Sequence, residues 1–74
     1  MSMHEREVER MSAVIGERLR ELRGSRTEKE VAAGVGITLV SLACYERGER
    51  IPRDEVKNRF AAFYNVPIES IFYS

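Results

Sequence analysis

His4 and Cys44 are the single histidine and the single cysteine of this 74-residue chain, and they stand far apart in sequence. Both residue types need company to do chemistry. A nucleophilic thiol requires a base within hydrogen-bond reach, and a zinc site requires a cluster of Cys and His. These residues offer neither, nor is there a glycine-rich phosphate loop or a supported carboxylate pair, so no enzymatic activity, metal or cofactor is expected. Cys44 reads as a small packing or surface residue. Arginine is the type that remains. Arg47, Arg50 and Arg53 are spaced around Gly48 and Pro52, with Lys57 and Arg59 following, and against Glu49, Asp54 and Glu55 they leave a local excess of 5 − 3 = +2. Guanidinium groups are forked partners for anions. Over the whole chain 12 basic residues face 12 acidic ones, a formal net charge of zero. That balance argues against a diffuse polyanion binder and leaves the placement of a few cations to carry any nucleic-acid role.

The arginines follow a nearly unbroken apolar run, Ile37 to Cys44, which only Thr38 and Ser41 interrupt. Alone, such a run fits a buried strand, a buried helix or a helix with an outward apolar patch. Its flanks decide. Thr38 is placed as an N-cap and Gly48 as the residue that ends a helix, so the run is a helix. Before it, Thr27 and Glu30 have the spacing of a capping box that opens a short helix through Val31, Ala32 and Ala33, ending near Gly34 to Gly36. Val14, Ile15, Leu19 and Leu22 recur at helical spacing ahead of Gly24 and Ser25, with Ser12 as the expected N-cap. Val8 and Met11 continue that stripe. Residues 1–11 are therefore expected as an N-terminal arm or a helix extension, with the arm preferred, and residues 12–74 as the domain. Pro52, Asp54 and Glu55 open a fourth helix carrying Val56, Phe60, Ala61, Phe63 and Tyr64 and stopping at Asn65. Pro67 fronts a last turn with Ile68, Ile71 and Phe72.

The expected fold class is thus all-α, five short helices with no strand and no repeat. A domain this small buries only about 60% of the surface its unfolded chain exposes, so the core or dimerisation must supply its stability. The opening "MSMHEREVER" is too charged for a signal peptide or membrane span, and a cytoplasmic location is expected.

Two short helices joined by a glycine-containing turn, "TEKEVAAGVGITLVSLACYERG", have the pattern of a helix-turn-helix. With "IGERLRELR" before it, "YERGERIP" at its end and "VPIESIF" after it, the chain resembles the lambda-repressor/Cro (XRE) helix-turn-helix family from about Val14 to Phe72. It looks particularly like small prophage and mobile-element regulators of Gram-positive bacteria. The resemblance implies a compact five-helix DNA-binding domain with the motif at helices 2 and 3, acting as a transcriptional regulator, expected to be a repressor. Its implied partner is a double-stranded DNA operator, entered in the major groove by helix 38–47.

Carried onto this sequence, the resemblance gives Thr38, Leu39, Val40, Ser41, Cys44 and Arg47 as base-contacting positions, and Arg26, Lys29, Arg50 and Arg53 as phosphate contacts. It implies an ion pair of Arg23 with Glu46 that ties helix 1 to the recognition helix. It also implies a homodimer, for which Ile68, Ile71, Phe72 and Tyr73 are the expected interface. Relatives place Gln, Arg, Ser or Asn at several base-contacting positions, whereas this chain has Leu39, Val40 and Cys44, and Glu28 stands where glutamine is frequent. These departures define a second expectation: a protein-interaction module or antirepressor that keeps the fold and uses its apolar helix face on a regulatory protein partner.

Overall fold

The computed structural model describes the backbone of residues 3–73 and the side chains of residues 7–73. The described residues form five α-helices: α1 Met3–Arg23, α2 Glu28–Val35, α3 Leu39–Glu46, α4 Asp54–Tyr64 and α5 Ile68–Phe72. Helix α1 lies against α3 and α5, α2 against α3 and α4, and α4 against α5.

Local chemistry sets most of the ends. Thr27 Oγ1 accepts from the Glu30 N–H at 3.0 Å, and Thr38 Oγ1 does the same for Ser41 at 3.0 Å, each satisfying a first-turn donor that has no partner within the helix. Only the threonine half of the expected capping box is made among the described residues; no return bond from the Glu30 carboxylate accompanies it. Helix α2 does not break at Gly34. It runs to Val35, and Gly36 caps it at φ 81°, with the N–H groups of Gly36 and Ile37 both reaching the Ala32 carbonyl at 2.9 and 3.0 Å. Asn65 closes α4 from the left-handed region at φ 55°.

Ser12 is not an N-cap, and the preceding stretch is the helix extension rather than the preferred arm, helical from Met3. "EREVER" contains good helix formers and no glycine or proline. The Ser12 hydroxyl, which would otherwise seek a free N–H, donates to the Val8 carbonyl at 2.9 Å within the continuous helix.

The core is formed by Ile15, Leu19, Val31, Ala32, Val35, Leu42, Tyr45, Phe60, Ile71 and Phe72. Phe60 is fully enclosed, with the rings of Tyr45, Tyr64 and Phe72 at 6.1, 6.4 and 6.1 Å. An enclosed aromatic of this kind contributes roughly 2–3 kcal/mol by burial alone. Ile37 is only partly buried. Val14, expected on the buried stripe, is exposed.

Candidate nucleic-acid interface

Helix α3 is held at both ends. At its start the Thr38 hydroxyl donates to Ser41 Oγ at 2.9 Å while accepting from the Ser41 N–H, so the two hydroxyls form a closed cap. At its end, Glu46 is buried and Arg23 Nε donates to its carboxylate oxygens at 2.9 and 3.1 Å. Arg20 donates to the Glu46 backbone carbonyl. Two guanidinium groups of α1 thus meet the negative end of α3, one at the side chain and one at an otherwise unpaired carbonyl. The Arg23 guanidinium is held above its ordinary value, first by the hydrogen bond to Glu46.

Glycine brings α1 this close. A Cβ on Gly16 would sit 2.6 Å from the Glu46 carbonyl oxygen, and one on Gly48 would sit 3.0 Å from the Ala13 Cα, where the backbone is also left-handed at φ 75°. Backbone meets backbone at both points, and no side chain can move aside.

The outward stripe of α3 follows from its inward one. Leu42, Tyr45 and Glu46 are buried, so at about 100° per residue the opposite side carries Val40, Cys44 and Arg47. Among the described residues Val40 is the most exposed large apolar one at 72%, and Leu39 on the flank is 50% exposed. Thr38 is exposed but uses its hydroxyl hydrogen in the cap, while Ser41 is half-buried and keeps its own for a ligand. Cys44 is half-buried. Arg47 is exposed but already engaged. Its Nε and Nη2 donate to the Glu49 carboxylate at 2.8 and 3.2 Å, and Nη2 lies 4.0 Å from Cys44 Sγ. The Glu49 carboxyl is consequently held below its ordinary value, first by the Arg47 hydrogen bond. The stripe therefore offers methyl groups, a thiol and a paired charge.

The four cations expected at phosphates divide by their surroundings. Lys29 and Arg53 are exposed and have no ion-pair partner among the described residues. Arg53 occupies the N-cap position of α4, whose first turn has no side-chain cap. Arg50 lies 5.8 Å from the Tyr45 ring and Arg26 lies 5.9 Å from the Tyr64 ring, with Arg26 also donating to the Leu22 carbonyl at 3.2 Å.

Residues 14–70 match the helix-turn-helix domain family. The chain belongs to that family. It is also 36% identical over 56 residues to the cryptic phage CTXphi transcriptional repressor RstR of Vibrio cholerae, an alignment covering 73% of this chain and 50% of that one. The chain thus spans about half the length of the curated relative it matches. No solved structure gives a significant match. The turn between α2 and α3 lies at Gly36 to Thr38, with a left-handed glycine followed by a capping threonine.

The expected dimer residues need correction. Ile71 and Phe72 are enclosed in the core, 0% and 2% exposed, because α5 is the lid that closes over Phe60 and Leu19 in a domain with few apolar residues to spare. Ile68 is partly buried, and Tyr73 remains exposed with its ring under Lys57 at 5.0 Å. Residues that sequence reading did not single out are Gly16 and Arg20. Both sit in the "IGERLR" block, so their signal was present but their counterpart, the backbone at Glu46 to Gly48, is a tertiary neighbour. Among the described residues no helix is long and apolar enough to cross a membrane.

Proposed function

We propose that this protein is a cytoplasmic transcriptional repressor that binds a double-stranded DNA operator, with α3 in the major groove. The observation that carries the reading is the outward stripe of α3 on a helix fixed by the Thr38 cap and the Arg23 and Arg20 contacts. A rigid helix is what base readout needs, since the free energy of ordering it is already met by the fold. Val40 presents its methyls where a thymine methyl would lie, and Ser41 supplies one hydroxyl hydrogen. Thr38, Leu39 and Cys44 shape the same surface. Arg47 keeps Nη1 for a base or phosphate and gains Nε and Nη2 when Glu49 releases it. Lys29, Arg53, Arg50 and Arg26 fix the register on the phosphates without reading sequence. The similarity to a phage repressor supports the repressor role, and binding as a homodimer to half-sites about one helical turn apart is the arrangement such a helix uses.

The test is titration of the protein with the DNA upstream of its own gene and with unrelated duplex at several salt concentrations. Preference for the first, with affinity falling as salt rises, is the expected outcome. Arg53→Ala should weaken both duplexes alike and reduce the salt slope by about 1, whereas Val40→Ala should change the preference among sites. Absence of binding to either duplex at low salt would sink the reading. The exposed Leu39 and Val40, with zero net charge, would then favour the second one, a regulatory protein partner docked on the same face.

A further inference from the structure

Helix α1 carries a second exposed apolar surface, separate from the recognition helix. Val8, Met11 and Val14 are 40%, 49% and 37% exposed, and Tyr73 across from them is also exposed. Between them runs a groove of about 410 Å³, walled by Met11, Val14 and Ile15 on one side and Phe72 and Tyr73 on the other, with Arg10 and Arg18 at its edges. The far wall is held in place. Lys57 Nζ lies 3.4 Å from the Tyr73 hydroxyl and over both rings, and Arg18 donates to the Ile71 carbonyl at 3.1 Å.

We infer that two copies of this chain meet along this surface, with their α1 helices antiparallel. The order of residues carries the inference. Glu7, Met11, Val14 and Arg18 are spaced 4, 3 and 4 apart, which places them within an arc of about 60° on one side of the helix. Read in either direction, the stripe is charge, apolar, apolar, charge, and the two charges are opposite. A two-fold axis between positions 11 and 14 therefore sets Glu7 of one copy against Arg18 of the other, and Met11 against Val14, twice over. Self-complementarity of this kind is what an isologous interface requires. A different partner has no reason to match both halves of the stripe. The flexible Met11 side chain of each copy enters the groove beside Tyr73 of the other. Arg18 uses one N–H on Ile71 and keeps others for the incoming carboxylate. Glu7 is exposed and makes no ion pair among the described residues. The pairing rests on the proposed operator reading only for its use at two half-sites, and the test below uses no DNA, so failure of the pairing and failure of the operator reading are seen separately.

The experiment is sedimentation equilibrium of the full chain and four variants, with helicity followed by circular dichroism. The wild type should show a monomer–dimer equilibrium. Met11→Glu, at an exposed position, should keep its helicity and become monomeric. Glu7→Arg sets Arg against Arg twice, Arg18→Glu sets Glu against Glu twice, and each alone should weaken dimerisation about tenfold or more. Mixed in equal amounts, the two should recover dimer, because both cross pairs are then opposite in charge. A merely structural role for either residue would give no recovery on mixing. A wild type that stays monomeric at high concentration overturns the proposal. So does an unaffected Met11→Glu dimer, or a dimer lost instead on Ile68→Glu, which would return the interface to the C-terminal helix.

Discussion

The Arg23 and Glu46 pair gives the most discriminating test of how α1 holds α3. The two partners are unequally buried, Arg23 with 23% of its side chain exposed and Glu46 with 4%. Removing Glu46 leaves a guanidinium that water can reach. Removing Arg23 leaves a carboxylate that water cannot. Glu46→Gln should cost about 1–3 kcal/mol, the loss of charge-assisted hydrogen bonds with an amide left in place. Arg23→Ala should cost about 3–5 kcal/mol, because an unpaired buried charge remains. Against a total stability of about 4–11 kcal/mol for a domain of this size, that loss is large. It corresponds to a fall in Tm of at least about 10 °C, at roughly 4–8 °C per kcal/mol. The double variant Arg23→Ala with Glu46→Gln should be more stable than Arg23→Ala alone, since the stranded charge is gone. Urea unfolding followed by circular dichroism at pH 7 reads all three. A larger cost for Glu46→Gln than for Arg23→Ala, or no recovery when it is added to Arg23→Ala, would refute a stranded buried carboxylate.

Gly16→Ala should gain up to about 1 kcal/mol from helix propensity, yet the added Cβ meets the Glu46 carbonyl at 2.6 Å, so a net loss of about 1–3 kcal/mol is expected; a Tm equal to or above wild type would contradict the close approach. Tyr64→Phe should raise stability by about 1 kcal/mol, because the Tyr64 hydroxyl is buried with no hydrogen-bond partner. Burial pushes the phenol from 10.0 up to about 12, and the Glu46 charge pushes the same way. The folded state therefore holds the phenolic proton more tightly than the unfolded one. The associated stabilisation is complete below pH 10 and is lost as the pH rises towards 12, and wild type should lose stability over that window relative to Tyr64→Phe. Chemical denaturation at pH 9 and pH 11 measures the difference. Glu49→Gln should tighten DNA binding by releasing Arg47 and removing a negative charge beside it; a titration showing weaker binding would argue that the ion pair itself faces the groove.

Much of this architecture was legible in the chain because it is decided within a few residues. Thr27 and Thr38 cap their helices from the side chain, and Gly36, Gly48 and Asn65 take left-handed backbone that few other residues accept. The α3 run was recognisable as a helix from those flanks alone. The misread elements depended on neighbours. Ser12 has the chemistry of a cap, but nothing nearby breaks the helix, and its hydroxyl turned back onto Val8. Ile71 and Phe72 look like an interface in sequence and are core in space, because the short last helix packs its apolar side onto Phe60 and against α1. Arg47 is a question of pairing rather than of place, since Glu49 two residues on accepts from its Nε and Nη2.

The sequence by itself determined five helices, their turns and the helix-turn-helix frame, since caps, glycines and apolar periodicity act over one or two turns of chain. Only the tertiary structure decided which apolar residues face outward, which charges are already paired and which glycine is a point of contact. Those outcomes depend on what arrives from residues far along the chain: Arg20 and Arg23 at Glu46, Gly16 at the end of α3, and Phe72 across the groove from Met11 and Val14. Burial and pairing are properties of the assembled surface, and periodicity along one helix cannot tell a face that meets the core from the adjacent one that meets a partner.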